Sequence, residues 1–405
     1  MTQPQRGFAS VVACTVVARG QLPAARVLAR GYLRHHPGHD VVVLVADGMR
    51  STDARPDHIV LGYDWLTIDP EQYLRMATCC TDDELVAAVT PLLVRQLLDH
   101  CTAVVVLPAQ VRVFAPFPEI ADAAMASGIV LVPRVLAAPP VDQLEPRQVG
   151  GFDPGFLAVG SSAKSFVDFW VERAQSDVLR ADPAGRCWLD DVPALFRHEV
   201  RRDPGLALGY WNLHERALAV TEDGPVTVGG PVRFVHFSGY DPDQPWLLST
   251  QCRDRPRVAL SAYPEVRTLC DAYRAELLAE GHREPYGFGA IPDGTPISAP
   301  MRGVFAAALR AADSEPPHPF GSDDGAAFAR WLASPSSPAE ASSGQNRLTM
   351  WLWASRIDLR SAFPRPTADQ AEAYRHWCHT YGVTDGPLPT WALPAPPPPV
   401  EPPVD

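Results

Sequence analysis

Val41-Val42-Val43-Leu44-Val45-Ala46 and Val104-Val105-Val106-Leu107 are unbroken runs of β-branched and other apolar residues. A strand wetted on one face alternates polar and apolar positions. These runs do not alternate, so both of their faces must be covered, and that requirement selects a largely parallel sheet with helices on either side. Residues 8–18, mostly apolar with Ser10 and Thr15 among them, read as a further strand. Between the first two strands, Ala25, Leu28, Ala29, Tyr32 and Leu33 recur at the spacing of one helical face until Pro37 stops the pattern.

The same reading predicts a short strand at 58–62, a helix at 81–100 opened by the capping-box spacing Thr81-Asp82-Asp83-Glu84, and the strand at 103–107. A helix at 119–127, a strand at 129–135, a helix at 162–177 and a strand at 232–237 follow. The expected fold class is a mixed α/β sheet domain with helices on both faces, spanning residues 1–258. From Tyr263 onward the pattern is helical only, at 263–280, 298–312, 325–333, 345–362 and 367–381, which defines a helical region over 259–383. The proline-rich stretch 384–405 reads as an extended, poorly packed tail.

Length and charge bound the function. A chain of 405 residues with 46% hydrophobic and 20% charged content is that of a globular protein of two to three domains. A net charge of −12 excludes a nucleic-acid or anionic-membrane surface as the main partner, since either requires a basic face. No stretch approaches the roughly 20 apolar residues of a membrane span. The apolar run after Arg6 is interrupted at Thr15 and Arg19, too early for a secretion signal, so a cytoplasmic location is expected. The 8 cysteines are scattered, without a CxxC pair or zinc spacing, and are expected to be reduced thiols, with Cys14, Cys101 and Cys270 buried.

Two stretches concentrate polar and aromatic groups. Tyr210-Trp211-Asn212-Leu213-His214-Glu215-Arg216 sets ring platforms beside amide, imidazole, carboxylate and guanidinium groups, a mixture suited to a sugar. Equally, a Trp-Asn-Leu-His turn serves as a hydrogen-bonded corner. In residues 232–242 an apolar strand delivers His236 to its end, followed by Ser238-Gly239, where backbone can approach a ligand closely. These stretches, in order with "CTVVARGQLPAARVLARGYLRHHPGHDVVVLVAD", "DELVAAVTPLLVRQLL", "VVVLPAQVRVFAPFPEI" and "GFLAVG", resemble bacterial glycosyltransferases of the GT-A fold, near the retaining, glycogenin-like branch. The resemblance covers roughly residues 8–258.

It implies a nucleotide-sugar donor at the carboxyl edge of the sheet and a glycan or small-molecule acceptor. It also implies a divalent cation on an Asp-x-Asp pair that neutralises the departing diphosphate. Here that position reads Pro108-Ala109-Gln110, so no divalent metal or other cofactor is expected. An expected lysine is Thr90, an expected aspartate is Thr81, the family asparagine is Asp153, and of the stretch that carries a sugar-facing carboxylate only Trp188-Leu189-Asp190 remains. By contrast Trp211, Asn212, His214, Glu215, Arg216, His236, Ser238 and Gly239 stand where the pattern has them.

Two accounts follow from the resemblance. In a metal-independent hexosyltransferase, Arg112, Lys164 or Arg233 supplies positive charge, His236 touches the diphosphate, Asp190 and Asp191 or Asp153 face the sugar, and Asp47 contacts the ribose. In a pseudoenzyme, the same framework serves as a binding or scaffold subunit beside an active glycosyltransferase. A general α/β binding protein without sugar specificity is the third possibility.

Overall fold

The computed structural model describes residues 7–48, 58–138, 150–180, 188–253, 259–281, 284–311 and 315–394. The chain divides into two compact units, one of residues 1–67, 85–175 and 183–287, the other of residues 68–84, 176–182 and 288–405.

The first unit is mixed α/β. It is built on β1 (Val11–Val17), α1 (Leu22–His35), β2 (Asp40–Val45) and β3 (Ile59–Gly62). After α2 (Pro70–Cys79) of the second unit, α3 (Asp82–Leu97) leads into β4 (Ala103–Val106), β5 (Val111–Val113), α4 (Pro118–Ser127) and β6 (Ile129–Pro133). Then come β7 (Phe152–Gly160), α5 (Lys164–Arg180), α6 (Val192–Leu195) and β8 (Glu199–Val200). A small three-stranded sheet of β9 (Ala219–Thr221), β10 (Gly224–Thr227) and β11 (Gly230–Pro231) precedes β12 (Phe234–His236) and α7 (Pro264–Ala279).

The main sheet has seven strands in the order β3-β2-β1-β4-β7-β6-β8. β1, β2, β3 and β4 run parallel, β7 runs against both β4 and β6, and β6 is parallel to β8. Every residue of β1, β2 and β4 is buried, as their unbroken apolar runs require. α1 stops where Pro37-Gly38 leaves the helix, Gly38 having a φ of 93° that a side chain would resist. Outside the main sheet, β5 pairs antiparallel with β12, setting His236 opposite Val111.

This unit runs past the expected limit at 258. α7 belongs to it because Leu269, Cys270, Tyr273 and Leu277 join the sheet core, where Tyr273 stacks on Phe237 at 4.2 Å. Cys14 and Cys270 are buried as expected, and burial pushes the Cys270 thiol up to about 12. Cys101 is only half-buried, its Sγ donating to the Ala103 carbonyl at 3.5 Å.

In the second unit α2 is joined by α8 (Ala299–Ala311), α9 (Ala326–Ala333), α10 (Pro338–Ser343), α11 (Arg347–Ser355), α12 (Ile357–Ala362) and α13 (Ala371–Tyr381). Phe305, Phe328, Leu332, Leu348 and Tyr374 form its core. Buried Arg302 donates to the Ala77, Thr78 and Phe288 carbonyls, satisfying acceptors at the end of α2. The single helix expected over 345–362 is two, because Arg356 takes an extended conformation between them and binds Asp358 and Asp385 at 2.5 and 2.7 Å. The unit also continues beyond 383: Leu388 and Ala392 are buried in its core, so the tail begins later than expected, and residues 395–405 lie outside the described residues. Among the described residues no helix is long and apolar enough to cross a membrane.

Candidate functional site

In an open α/β sheet a ligand crevice forms at the carboxyl ends of the strands, where successive connections leave in opposite directions. Here that point lies between β1 and β4, since β2 and β3 are laid on one side of β1 and β4 and β7 on the other. β7 is reversed, so it brings its amino end to this edge: Leu157 pairs with Val106, and the chain from Gly155 back to Asp153 runs alongside the turn Pro108-Ala109-Gln110. Gly155 is needed there, because a Cβ would stand 3.0 Å from Pro108 Cγ. On the other flank, the Phe237 amide donates to the Gln110 carbonyl at 2.8 Å, placing His236 beside the same turn.

Asp153 and His236 therefore meet. Their side chains are nearly buried, with Oδ2 and Nδ1 3.5 Å apart, while Asp153 Oδ1 accepts from the Gly155 amide at 3.0 Å. Burial alone would raise the Asp153 pKa, but the adjacent His236 imidazole, with Arg134 and the Gly155 amide, holds the carboxyl below its usual value. Trp211, 2% exposed, turns its ring edge-on to His236 at 5.2 Å, and the Arg134 guanidinium lies 4.4 Å over the Trp211 ring. Asp153 Oδ2, His236 Nδ1 and Trp211 Nε1 are all buried without a hydrogen-bond partner. Two of these atoms face each other in the ion pair, which leaves Trp211 Nε1 as the buried donor that a ligand or ordered water would satisfy.

Other expected site residues build the walls rather than face the crevice. Asn212 is fully buried and saturated: Oδ1 accepts from the Gly209 amide, and Nδ2 donates to the Arg134 and Ala207 carbonyls at 2.9 and 3.0 Å. It is the hydrogen-bonded corner. Glu215 accepts from the Leu136 and Ala137 amides and pairs with Arg216, which in turn donates to the Pro204 and Leu206 carbonyls. Gly239, at φ 70°, ties its carbonyl to the Thr250 amide, and a Cβ there would meet Ser249 Oγ at 2.5 Å. Ser238 lines a small pocket next to His236, and His214 is half-buried with Nε2 unpartnered.

The expected charged groups separate in the same way. Asp190 is exposed but accepts from the Gly151 amide at 3.0 Å, so it steadies the entry to β7, two residues before Asp153, while Asp191 is exposed at the start of α6. Asp47 is consumed: its carboxylate accepts from the Arg19 and Gly287 amides, both at 2.7 Å, and faces Arg19 Nε at 3.3 Å. These internal bonds engage the carboxylate expected to contact a ribose. Arg112 binds Glu276 at 2.7 Å and lines a groove with Arg30 and Arg34 of α1. Arg233 is held by the Pro116 carbonyl and lies near Asp203 and Glu119. Lys164 follows the far end of β7, where Gly160 pairs with Ala103 at the start of β4. Seven strand steps at about 3.3 Å each put Gly160 roughly 23 Å from Asp153, and Lys164 begins α5 beyond that far end, away from this edge. The sequence reading missed Arg134, whose only signal was a lone arginine closing the apolar strand β6.

A hard divalent cation takes several oxygen ligands. The turn at 108–110 offers no carboxylate, and among the described residues no three His, Cys, Asp or Glu side chains group as a metal site. The donor set does not fit the cation that the sequence resemblance implies.

Fold and site together define a mixed α/β protein whose buried Asp153–His236 pair lies at the crossover edge of its main sheet. No family model and no curated protein matches the chain. Among solved structures it is similar to the WbbM bifunctional glycosyltransferase in its apo form, with 13% identity, a TM-score of 0.38, and 69% of this chain and 53% of that one covered. The chain thus spans about half the length of that relative. It is also similar to a glycosyltransferase involved in glycosylation of the major capsid of PBCV-1, with 9% identity, a TM-score of 0.29, and 49% of this chain and 84% of that one covered.

Proposed function

We propose that this chain is a GT-A-like glycosyltransferase domain that binds a nucleotide-sugar at the carboxyl edge of its main sheet without a metal anchor, and transfers the hexose to an acceptor. The observation that carries this reading is the buried Asp153–His236 pair beside the turn 108–110, packed edge-on against Trp211, whose buried Nε1 has no hydrogen-bond partner. The His236 imidazole faces the leaving diphosphate, and the Arg134 guanidinium stacked on Trp211 offsets the negative charge that gathers there. Asp153, kept anionic, orients that imidazole and faces the sugar carbon as positive charge develops there.

A second reading, a non-catalytic nucleotide-sugar binding subunit, is favoured by one feature. The carboxylate at the end of β2 and the arginines of β5 and of residue 233 are already engaged within the protein. Calorimetric titration of UDP- and GDP-sugars with and without EDTA, alongside a hydrolysis assay, separates the outcomes. Transferase function predicts binding that changes less than tenfold on chelation, slow donor hydrolysis, and loss of hydrolysis in Asp153→Asn and His236→Ala. Binding without hydrolysis selects the second reading. Absence of binding by any donor refutes both.

A further inference from the structure

A cleft of about 610 Å³ opens in the same unit, outside the crevice just described. Its lining includes Tyr210, Trp246, Leu248, Arg267, Asp271 and Arg274. Trp246 is 68% exposed, a costly position for an indole unless something stacks on it. Tyr210 Oη donates to Gln251 Oε1 at 2.8 Å, which holds the second ring in place. The cleft thus has two aromatic platforms, the usual means of holding the apolar face of a sugar ring.

Its charge is the reverse of the chain as a whole. Two guanidiniums face one carboxylate, in a protein of net charge −12. Arg274 Nε donates to the Pro242 carbonyl at 2.7 Å, fixing the plane of the guanidinium while its two Nη groups stay available. Arg267 stands 3.8 Å from Asp271, longer than a hydrogen bond, with both side chains about 60% exposed. An exposed pair of this kind is worth little and yields readily to a better anion. Two fork-shaped donors beside aromatic rings match a sugar carrying a carboxylate or a phosphate.

The cleft also adjoins the small pocket at His236. Tyr210 and Leu248 line both the cleft and the small pocket that touches His236. The rings of Tyr210 and Trp211 lie 5.1 Å apart, and Trp211 is 5.2 Å from His236.

We propose that this cleft is the acceptor subsite and that it takes an acidic saccharide, anchored by Arg267 and Arg274 and stacked on Trp246 and Tyr210. The assignment as acceptor rests on the transferase reading above. The recognition of an acidic saccharide does not. Four probes are titrated into the full chain by calorimetry: a glucuronate-containing tetrasaccharide, glucose 6-phosphate, neutral maltotetraose and inorganic phosphate. The expected result is binding of at least one of the first two at least tenfold tighter than maltotetraose and phosphate, and which of them binds identifies uronate or phosphate as the anion. Trp246→Ala and Arg267→Ala, both at exposed positions, are each expected to weaken that binding at least fivefold. Equal affinity for the neutral and acidic probes, no binding by either acidic probe, or insensitivity to both cleft variants overturns the proposal. Acidic-saccharide binding in a protein that binds no nucleotide-sugar leaves the subsite standing and removes the transferase reading. Donor binding without acidic-saccharide binding does the opposite.

Discussion

Acidification provides a test of the packing at the end of α1. His36 is 4% exposed, edge-on to Tyr32 at 4.3 Å and to Phe117 at 4.5 Å, and its Nε2 accepts from the Phe117 amide at 3.3 Å. An acceptor nitrogen must be unprotonated, so the fold holds this ring neutral. Burial, then the neighbouring His39 and His35, lowers its pKa from 6.5 to about 4. As pH falls below 6.5 the unfolded chain takes up a proton that the folded chain refuses, so stability is lost from that point down to about pH 4 and no further below it. At about 1.4 kcal/mol per pKa unit the full effect is about 3 kcal/mol, and about 2 kcal/mol of it falls between pH 7.5 and pH 5. The comparison is urea unfolding at those two pH values for the wild type and for His36→Gln, which keeps an acceptor for the Phe117 amide and does not titrate. His35 and His39 titrate in both proteins and cancel. The wild type is expected to lose about 2 kcal/mol more than the variant on acidification. Parallel losses in the two proteins would refute the argument that His36 is held neutral.

Three further outcomes follow from the geometry. Asn212→Ala strands the Gly209 amide and the Arg134 and Ala207 carbonyls in a buried corner, and is expected to destabilise by at least about 3 kcal/mol in chemical denaturation. Gly303→Ala places a Cβ 2.1 Å from Trp351 Cζ2 in the helical unit, so a lower melting temperature is expected, and an unchanged one contradicts the packing. Burial raises the pKa of all three thiols, so exposure decides the order: alkylation of the native protein at pH 8 should be slow at buried Cys14 and Cys270 and faster at half-buried Cys101. Equal rates at all three thiols would contradict the burial pattern.

The covered strands were legible because an unbroken apolar run has one physical solution. β1, β2 and β4 fall within three residues of their expected limits. β7 was not read as a strand, since Asp153-Pro154-Gly155 has the chemistry of a turn. The reversed direction of the strand places those residues at the sheet edge, where a turn-like start is tolerated. β5 is too short to show alternation and exists only through its pairing with β12. In the site, His236 and Asp153 were found from residue type and motif, but their mutual contact depends on two strand pairings that no local pattern specifies. Asn212, Glu215 and Asp47 brace the backbone, a role their sequence context does not reveal, because a polar side chain that does so and one that awaits a ligand have the same sequence signature. Only the tally of hydrogen bonds distinguishes them.

The pairing of β5 with β12 has a consequence for biosynthesis. Val113 meets Phe234, so β5 leaves the ribosome roughly 120 residues before its partner and waits roughly 6 to 24 s at ordinary translation rates. Through that interval "VRVF" lacks its pairing partner, and its apolar residues are open to association with another polypeptide. Arg112 stands in the middle of it, and an internal charge is the usual guard against such association. Glu276, the residue that finally binds Arg112, emerges later still, beyond β12. The guanidinium therefore stays uncompensated for as long as the edge is vulnerable, and is neutralised only once the sheet has closed.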